Sequence, residues 1–188
     1  KVWRGSATTD PAAKAEPEGL IDPYLRTVSF WNGETPLAAL SYYATHPMSY
    51  YGDGRVTPDF AGLARMRRQE EMPGVFQMYF NGCGGNVAAG KYNDGSKEAR
   101  KELTEKIHDA LVRAWDATER HALTTCDWKN VPTFLDPRRE PLFLEENNRE
   151  LLAKAELVEG KIDGGTGHAA MRLAWLSRKD RPIDLSYL

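Results

Sequence analysis

The residues best suited to chemistry lie in two short stretches, "ATHPMSYYGDGRVTPDF" at 44–60 and "FNGCGGNVAAGKYND" at 80–94. The first holds His46 at the end of an apolar run, followed directly by Pro47. Proline ends regular pairing and biases the residue before it toward extended backbone, so the imidazole is held at a strand-to-loop junction, where α/β folds place their chemistry. A neutral imidazole there can ligate a divalent cation or move a proton, although a lone histidine is more often structural than a ligand. The second stretch is rich in small residues, which let a backbone approach a ligand or metal site closely and leave successive amides free to donate hydrogen bonds. The same glycines are also what a plain tight turn requires.

The second stretch nearly spells a phosphate-binding loop. Gly85, Gly90 and Lys91 satisfy G-x-x-x-x-G-K, but Tyr92 stands where that loop needs a Ser or Thr hydroxyl for magnesium. The helix should also start at the Gly-Lys pair so that its amides face the phosphates. Here Asn93-Asp94-Gly95 is turn chemistry, so the match reads as accidental and no nucleotide is expected. Cys83 is available as a nucleophile, yet free cysteines more often act as small buried residues. Cys83 and Cys126 lack metal-type spacing and leave the redox compartment open. His108 lies beside an apolar helical stripe, His121 sits at that helix's C-terminal end, and His168 opens a later helix, so all three read as structural.

These stretches need elements to position them. Residues 25–31 and 36–44 read as a β-hairpin around an Asn-Gly turn signal, and 74–80 as a further strand. Between them a helix is expected over 60–71, with Asp59 capping its first-turn amides rather than serving as a catalytic base. The clearest element is a helix after Ser96, where Ala99, Leu103, Ile107, Ala110, Leu111, Ala114 and Trp115 recur at three- and four-residue intervals. Beyond it, 122–137 reads as extended, 145–159 and 168–179 as helices separated by "GKIDGGTG", and "PIDLSYL" as the beginning of a strand. Strands and helices alternate, which predicts an α/β fold: a layered mixed sheet with flanking helices, as an incomplete domain. Residues 1–22 read as an extended arm or loop that needs other structure to lie against, and 23–188 as the central part of one domain.

Composition narrows the function classes. A formal charge of -2 provides no broad cationic field, so nucleic acid is not an expected partner. The basic run "RMRRQ" is followed at once by Glu70 and Glu71, as on a solvated helix face. No apolar run approaches the ~20 residues of a membrane span, so no transmembrane segment is expected. The sequence opens on Lys1 without a Met and stops at "DLSYL", as a piece of a longer protein would.

Taken together and in this order, the two stretches resemble the neutral/alkaline (non-lysosomal) ceramidase family, especially its ceramidase-like bacterial members. The family pattern of a histidine, Pro, a small polar residue, a loop and Ser/Thr-x-Asp-x-x-Gly is filled by His46, Pro47, Ser49, Thr57, Asp59 and Gly62. Its second motif, Gly-Asp/Asn-x-Ser-Pro-Asn after a strand, is matched in its first three places by Gly85, Asn86 and Val87. The resemblance is carried by motif over about 22–93 and by general order beyond.

What the resemblance implies is a zinc-dependent hydrolase that cleaves the N-acyl bond of ceramide, a lipid amide substrate. In that family zinc is held by two histidines, a glutamate and a tyrosine, and acts as a Lewis acid. His46 then takes the place of the second zinc histidine, with some acceptor fixing which ring nitrogen faces the metal. Asn86 and nearby loop amides fall beside the reacting carbonyl. Ala88 stands where the family has its catalytic serine, no His-x-His occurs, and the glutamate and tyrosine ligands belong downstream of "RKDRPIDLSYL", so Tyr187 is not the expected ligand. The expectation is therefore a fragment of a ceramidase-like hydrolase of amide or ester bonds, lacking N- and C-terminal parts of its domain and binding zinc weakly or not at all by itself. The opposing expectation is a catalytically silent relative kept as a binding or structural module. Family members commonly act outside the cytoplasm or at membranes, which implies a secreted or periplasmic setting by resemblance only.

Overall fold

The computed structural model describes residues 4–51, 54–158 and 160–187. The chain forms two compact units, Lys1–Arg120 and His121–Leu188, where the sequence suggested a single body from residue 23 onward.

In the first unit, the arm carries a short helix α1 (Pro11–Ala15), begun by Asp10, whose carboxylate accepts from the Ala12 amide. The strands β1 (Arg26–Asn32) and β2 (Thr35–Tyr43) form the expected hairpin. Gly33 turns it with φ 57°, a left-handed value that glycine adopts freely. Helix α2 (Asp59–Glu71) then leads to β3 (Phe76–Asn81), which pairs parallel with β2, so β2 is the centre of a mixed three-stranded sheet ordered β1-β2-β3. The unit closes with the long helix α3 (Lys97–Asp116), whose first-turn Ala99 amide donates to the Ser96 hydroxyl at 3.0 Å, as expected of an N-cap.

The core lies where the two long helices meet the sheet. Phe60, Ala61 and Ala64 of α2 interlock with Leu103, Ile107 and Leu111 of α3, and Tyr43, Tyr79, Leu25 and Ala89 pack against them. Each of the larger side chains contributes about 1.5–3 kcal/mol by leaving water. Trp115, at the far end of the expected α3 stripe, stacks on Trp31 of β1 with ring centroids 5.3 Å apart. On the opposite sheet face Val28, Tyr42, Phe76 and Phe80 are exposed. The basic run is not wholly a solvated face: Arg68 is buried, its guanidinium donating to Glu71 and to the Met72 sulfur, because its position turns it inward under the end of α2.

In the second unit, β4 (Lys129–Thr133) pairs antiparallel with β7 (Ile183–Tyr187), joining the extended segment to the terminal strand foreseen from the sequence. Cys126 lies ahead of β4 and outside any strand. Helix α4 (Glu145–Ala153) is shorter than expected and gives way to the two-residue pair β5 (Leu157–Val158) and β6 (Lys161–Ile162). Helix α5 (Gly164–Leu176) starts earlier than expected, within the glycine-rich separator. Asp163 accepts from the Gly165 and Thr166 amides and offsets the poor helix propensity of the glycines. The fully buried Asn148 of α4 donates to the Leu142 and Leu144 carbonyls, pinning the preceding turn. The fold class is α/β: a mixed three-stranded sheet in the first unit and two two-stranded sheets in the second, with helices in both. Among the described residues, no helix is long and apolar enough to cross a membrane.

Candidate functional site

The end of β2 and the loop after β3 run so close together that only glycine fits between them. A Cβ on Gly84 would lie 2.6 Å from the Thr45 nitrogen, and one on Gly82 would lie 3.2 Å from that of Ala44. Pairing beyond the strands continues through the Gly82 amide, which donates to the Tyr43 carbonyl at 2.9 Å. Residues 84–87 then make a tight turn, closed by the Val87 amide donating to the Gly84 carbonyl at 3.0 Å.

His46 is fastened to this turn twice. Its backbone amide donates to the Val87 carbonyl at 2.9 Å, and its ring Nδ1 lies 2.9 Å from the Gly84 carbonyl oxygen. A carbonyl can only accept, so Nδ1 carries the proton and the neutral ring keeps its lone pair on Nε2. The residue is exposed, and Nε2 has no hydrogen-bond partner among the described residues. Gly84 thus supplies the acceptor that orients a metal-binding histidine in known sites.

The loop leading away from His46 is closed by Ser49 and Asp59. The Ser49 hydroxyl donates to Asp59 Oδ1 at 2.6 Å and its amide to Oδ2 at 3.0 Å, while the Phe60 amide donates to Oδ1 at 2.7 Å. Asp59 therefore does receive a first-turn amide, but as the first helical residue with φ 48°, not from a standard cap position. Donors occupy both of its oxygens, an arrangement that fixes a loop rather than one that accepts a proton from substrate.

Asn93 is the group that sequence reasoning missed. It is wholly buried, its Nδ2 donates to the Ser6 and Ser49 carbonyls, its Oδ1 accepts from the Gly95 amide at 3.0 Å, and its carbonyl accepts from the Thr8 amide at 2.8 Å. One side chain thereby joins the arm, the His46 loop and the glycine-rich loop. The turn signal Asn93-Asp94-Gly95 was visible in the sequence and covers the bond to Gly95, whose φ is 88°. The long-range partners had no local signal.

The arm also answers the phosphate-loop question. Gly90 is small because the arm passes over it: a Cβ there would lie 2.0 Å from the Gly5 carbonyl oxygen. Lys91 donates to the Glu16 carbonyl at 2.6 Å, Tyr92 donates its phenol to Glu18, and α3 begins only at Lys97. The arm finds its support on the segment that resembled a nucleotide loop.

A cleft of about 1330 Å³ opens between the arm, the glycine-rich loop and α3. Ala88 lines it together with Val87 and Ala89. His46 does not, although its neighbour Thr45 and its partner Val87 do. Asn86 is exposed at the tip of the turn, and its side chain makes no hydrogen bond among the described residues. Cys83 is also exposed, against the usual burial of a free thiol, because its neighbouring glycines face the β2 backbone and leave it outside the crossing.

Of the other histidines, His108 is among the residues lining the cleft. It is buried, its Nε2 lies 2.8 Å from Glu71, and its buried Nδ1 makes no hydrogen bond among the described residues, lying 3.8 Å from Asp109 Oδ1. The Arg68 guanidinium, and then His108, hold the Glu71 carboxyl down at about 2. His121 lies beyond the end of α3, and His168 is exposed inside α5 rather than at its start. The side chain of Tyr187 lies outside the described residues. Among the described residues, no group of three or more His, Cys, Asp and Glu side chains converges as a metal site. The fit to zinc is therefore one oriented donor rather than a ligand set. No family profile, curated protein or solved structure matches this chain.

Proposed function

We propose that this chain belongs to a ceramidase-like zinc-dependent hydrolase of amide or ester bonds, in which His46 is a metal ligand and the turn bearing Asn86 stands beside the reacting carbonyl. The observation that carries the reading is the bond between His46 Nδ1 and the Gly84 carbonyl, which presents Nε2 as a lone pair on an exposed edge. The cleft lined by Ala88 is the substrate-facing surface in this reading, with room for an apolar chain. The remaining donors, and the nucleophile that Ala88 lacks, come from outside the described residues.

One observation favours the second reading, a catalytically silent relative: the residue lining the cleft in the serine position is Ala88, which has no oxygen to attack or to be activated. Zinc content and hydrolysis of generic acyl amides, measured on the full-length protein with and without His46→Ala, separate the two. The hydrolase reading expects stoichiometric zinc and turnover, both lost in the variant. A full-length protein with no stoichiometric zinc leaves only the silent module.

A further inference from the structure

The Ala88 cleft has a charge pattern that the protein as a whole does not. The chain carries a formal charge of -2, yet the cleft is lined by the cations Arg4, Lys91, Lys106 and Arg113 against the carboxylates Glu18 and Asp109. Most acidic residues of α3, among them Glu98, Glu102 and Glu105, are kept off this face, and Glu105 instead pairs with Arg67 at 2.7 Å on α2. Lys106 and Arg113 are seven residues apart, two turns along one helical face and about 10 Å along the axis.

These cations are not evenly satisfied. Glu18 is met by Lys91 at 3.7 Å and by the Tyr92 phenol. Arg4 donates to the Ala13, Glu16 and Pro17 carbonyls, which are neutral. Lys106 lies over the Tyr92 ring, 4.1 Å from its centroid, and neither it nor Arg113 pairs with a carboxylate among the described residues. Between these groups the surface is largely apolar: Ile21 comes from the arm, Leu25 from the residue before β1, Ala110 and Val112 from α3, and Phe60 and Leu103 lie beneath, with Thr45 and His108 as the polar members.

We propose that this cleft binds a small amphiphile with an anionic head, its apolar chain lying between the arm and α3 and its head group held by Lys106 and Arg113. The chemistry follows from the walls. An apolar trough removes a hydrocarbon chain from water, at about 0.8 kcal/mol for each buried methylene. Two cations that form no ion pair among the described residues, with four cations against two carboxylates in the lining, favour a phosphate, sulfate or carboxylate over a neutral or cationic head. The inference rests on the proposed role of the Ala88 cleft as the substrate-facing surface, but it requires neither zinc nor turnover.

The test uses the full 188-residue chain in the presence of a chelator and titrates three probes below their micelle concentrations: decyl phosphate, decyl maltoside and decyltrimethylammonium. Calorimetry is expected to find one decyl phosphate per chain, bound roughly fivefold to tenfold more tightly than the neutral probe, with the preference shrinking in high salt. Lys106→Glu with Arg113→Glu, both at exposed positions, removes that preference while leaving the circular dichroism unchanged. Ala110→Phe, which fills the trough, weakens all binding. Decanoate in place of decyl phosphate tells a carboxylate head from a phosphate one, and either result supports an anionic site. Equal binding of the neutral probe, binding that survives the charge reversal, or no binding of any probe overturns the proposal. Because the chelator removes zinc from the measurement, a negative result here leaves the zinc and turnover assay of the parent protein to stand or fall separately.

Discussion

The Nδ1 of His46 lies 2.9 Å from the Gly84 carbonyl oxygen, and the same oxygen accepts the Val87 amide that closes the turn. Ring orientation and turn geometry are thus one arrangement. A nitrogen-resolved magnetic resonance experiment on the neutral ring is expected to find the proton on Nδ1 and the lone pair on Nε2. Finding the opposite tautomer would remove His46 from consideration as an Nε2 ligand.

Gly84→Ala tests why the turn can approach β2. The added methyl would meet backbone atoms of Ala44 and Thr45 that cannot move without breaking the strand end. Overpacking of this kind costs typically about 1–3 kcal/mol, and it should also loosen the His46 tautomer into a mixture. Chemical denaturation together with the same resonance measurement checks both effects. An unchanged midpoint would mean that the two segments do not cross as closely as described.

Asn93→Ala should detach three segments at once. It leaves the Ser6 and Ser49 carbonyls and the Gly95 amide without their partner, at a cost of about 2–4 kcal/mol for several buried groups. Limited proteolysis is expected to cut the arm sooner in the variant than in the parent. Equal cutting rates would show that Lys91, Tyr92 and the Thr8 amide hold the arm without the Asn93 side chain.

Tyr79→Phe should do the reverse. Among the described residues the buried Tyr79 hydroxyl has no hydrogen-bond partner, and burial pushes its pKa up to about 12. Removing it leaves the ring in the core and is expected to be neutral or to stabilise by up to about 1 kcal/mol. A marked loss of thermal stability would reveal a partner for that oxygen.

The acid limb of stability is set in part by Glu71. The Arg68 guanidinium first, and then His108, hold the folded Glu71 carboxyl down at about 2, below the ordinary 4.5. A depressed folded value means that the contribution is present above pH 4.5 and is lost as pH falls toward about 2. Glu71→Gln should flatten the stability curve within that window and change little of its slope above pH 6, outside the titration of this carboxyl. A wild-type curve with no slope between those values would remove the ion network from the account.

Much of the fold could be read locally. The hairpin around Gly33, the helix capped by Ser96 and the apolar stripe of α3 depend on turn chemistry, capping and periodicity, which involve residues only a few positions apart. Where the reading failed, a competing local effect won. At α5, Asp163 offsets three helix-weakening glycines, and the short β5–β6 pair begins where the end of an expected helix would lie. Arg68 turned inward because burial depends on what lies under α2, not on the charges beside it in sequence.

By itself the sequence determined that His46 follows closely on a strand, that a run of small residues follows β3, and that helices alternate with strands, because backbone preference and hydrophobic period are short-range. Only the tertiary structure decided what those glycines are for. Gly82 and Gly84 admit the β2 backbone, Gly90 admits the arm, and Asn93 ties 6, 49 and 95 together, through contacts whose partners are as far as 87 residues apart. Steric fit and buried hydrogen bonds at such separations follow from which segments meet in space, and no local pattern encodes that meeting.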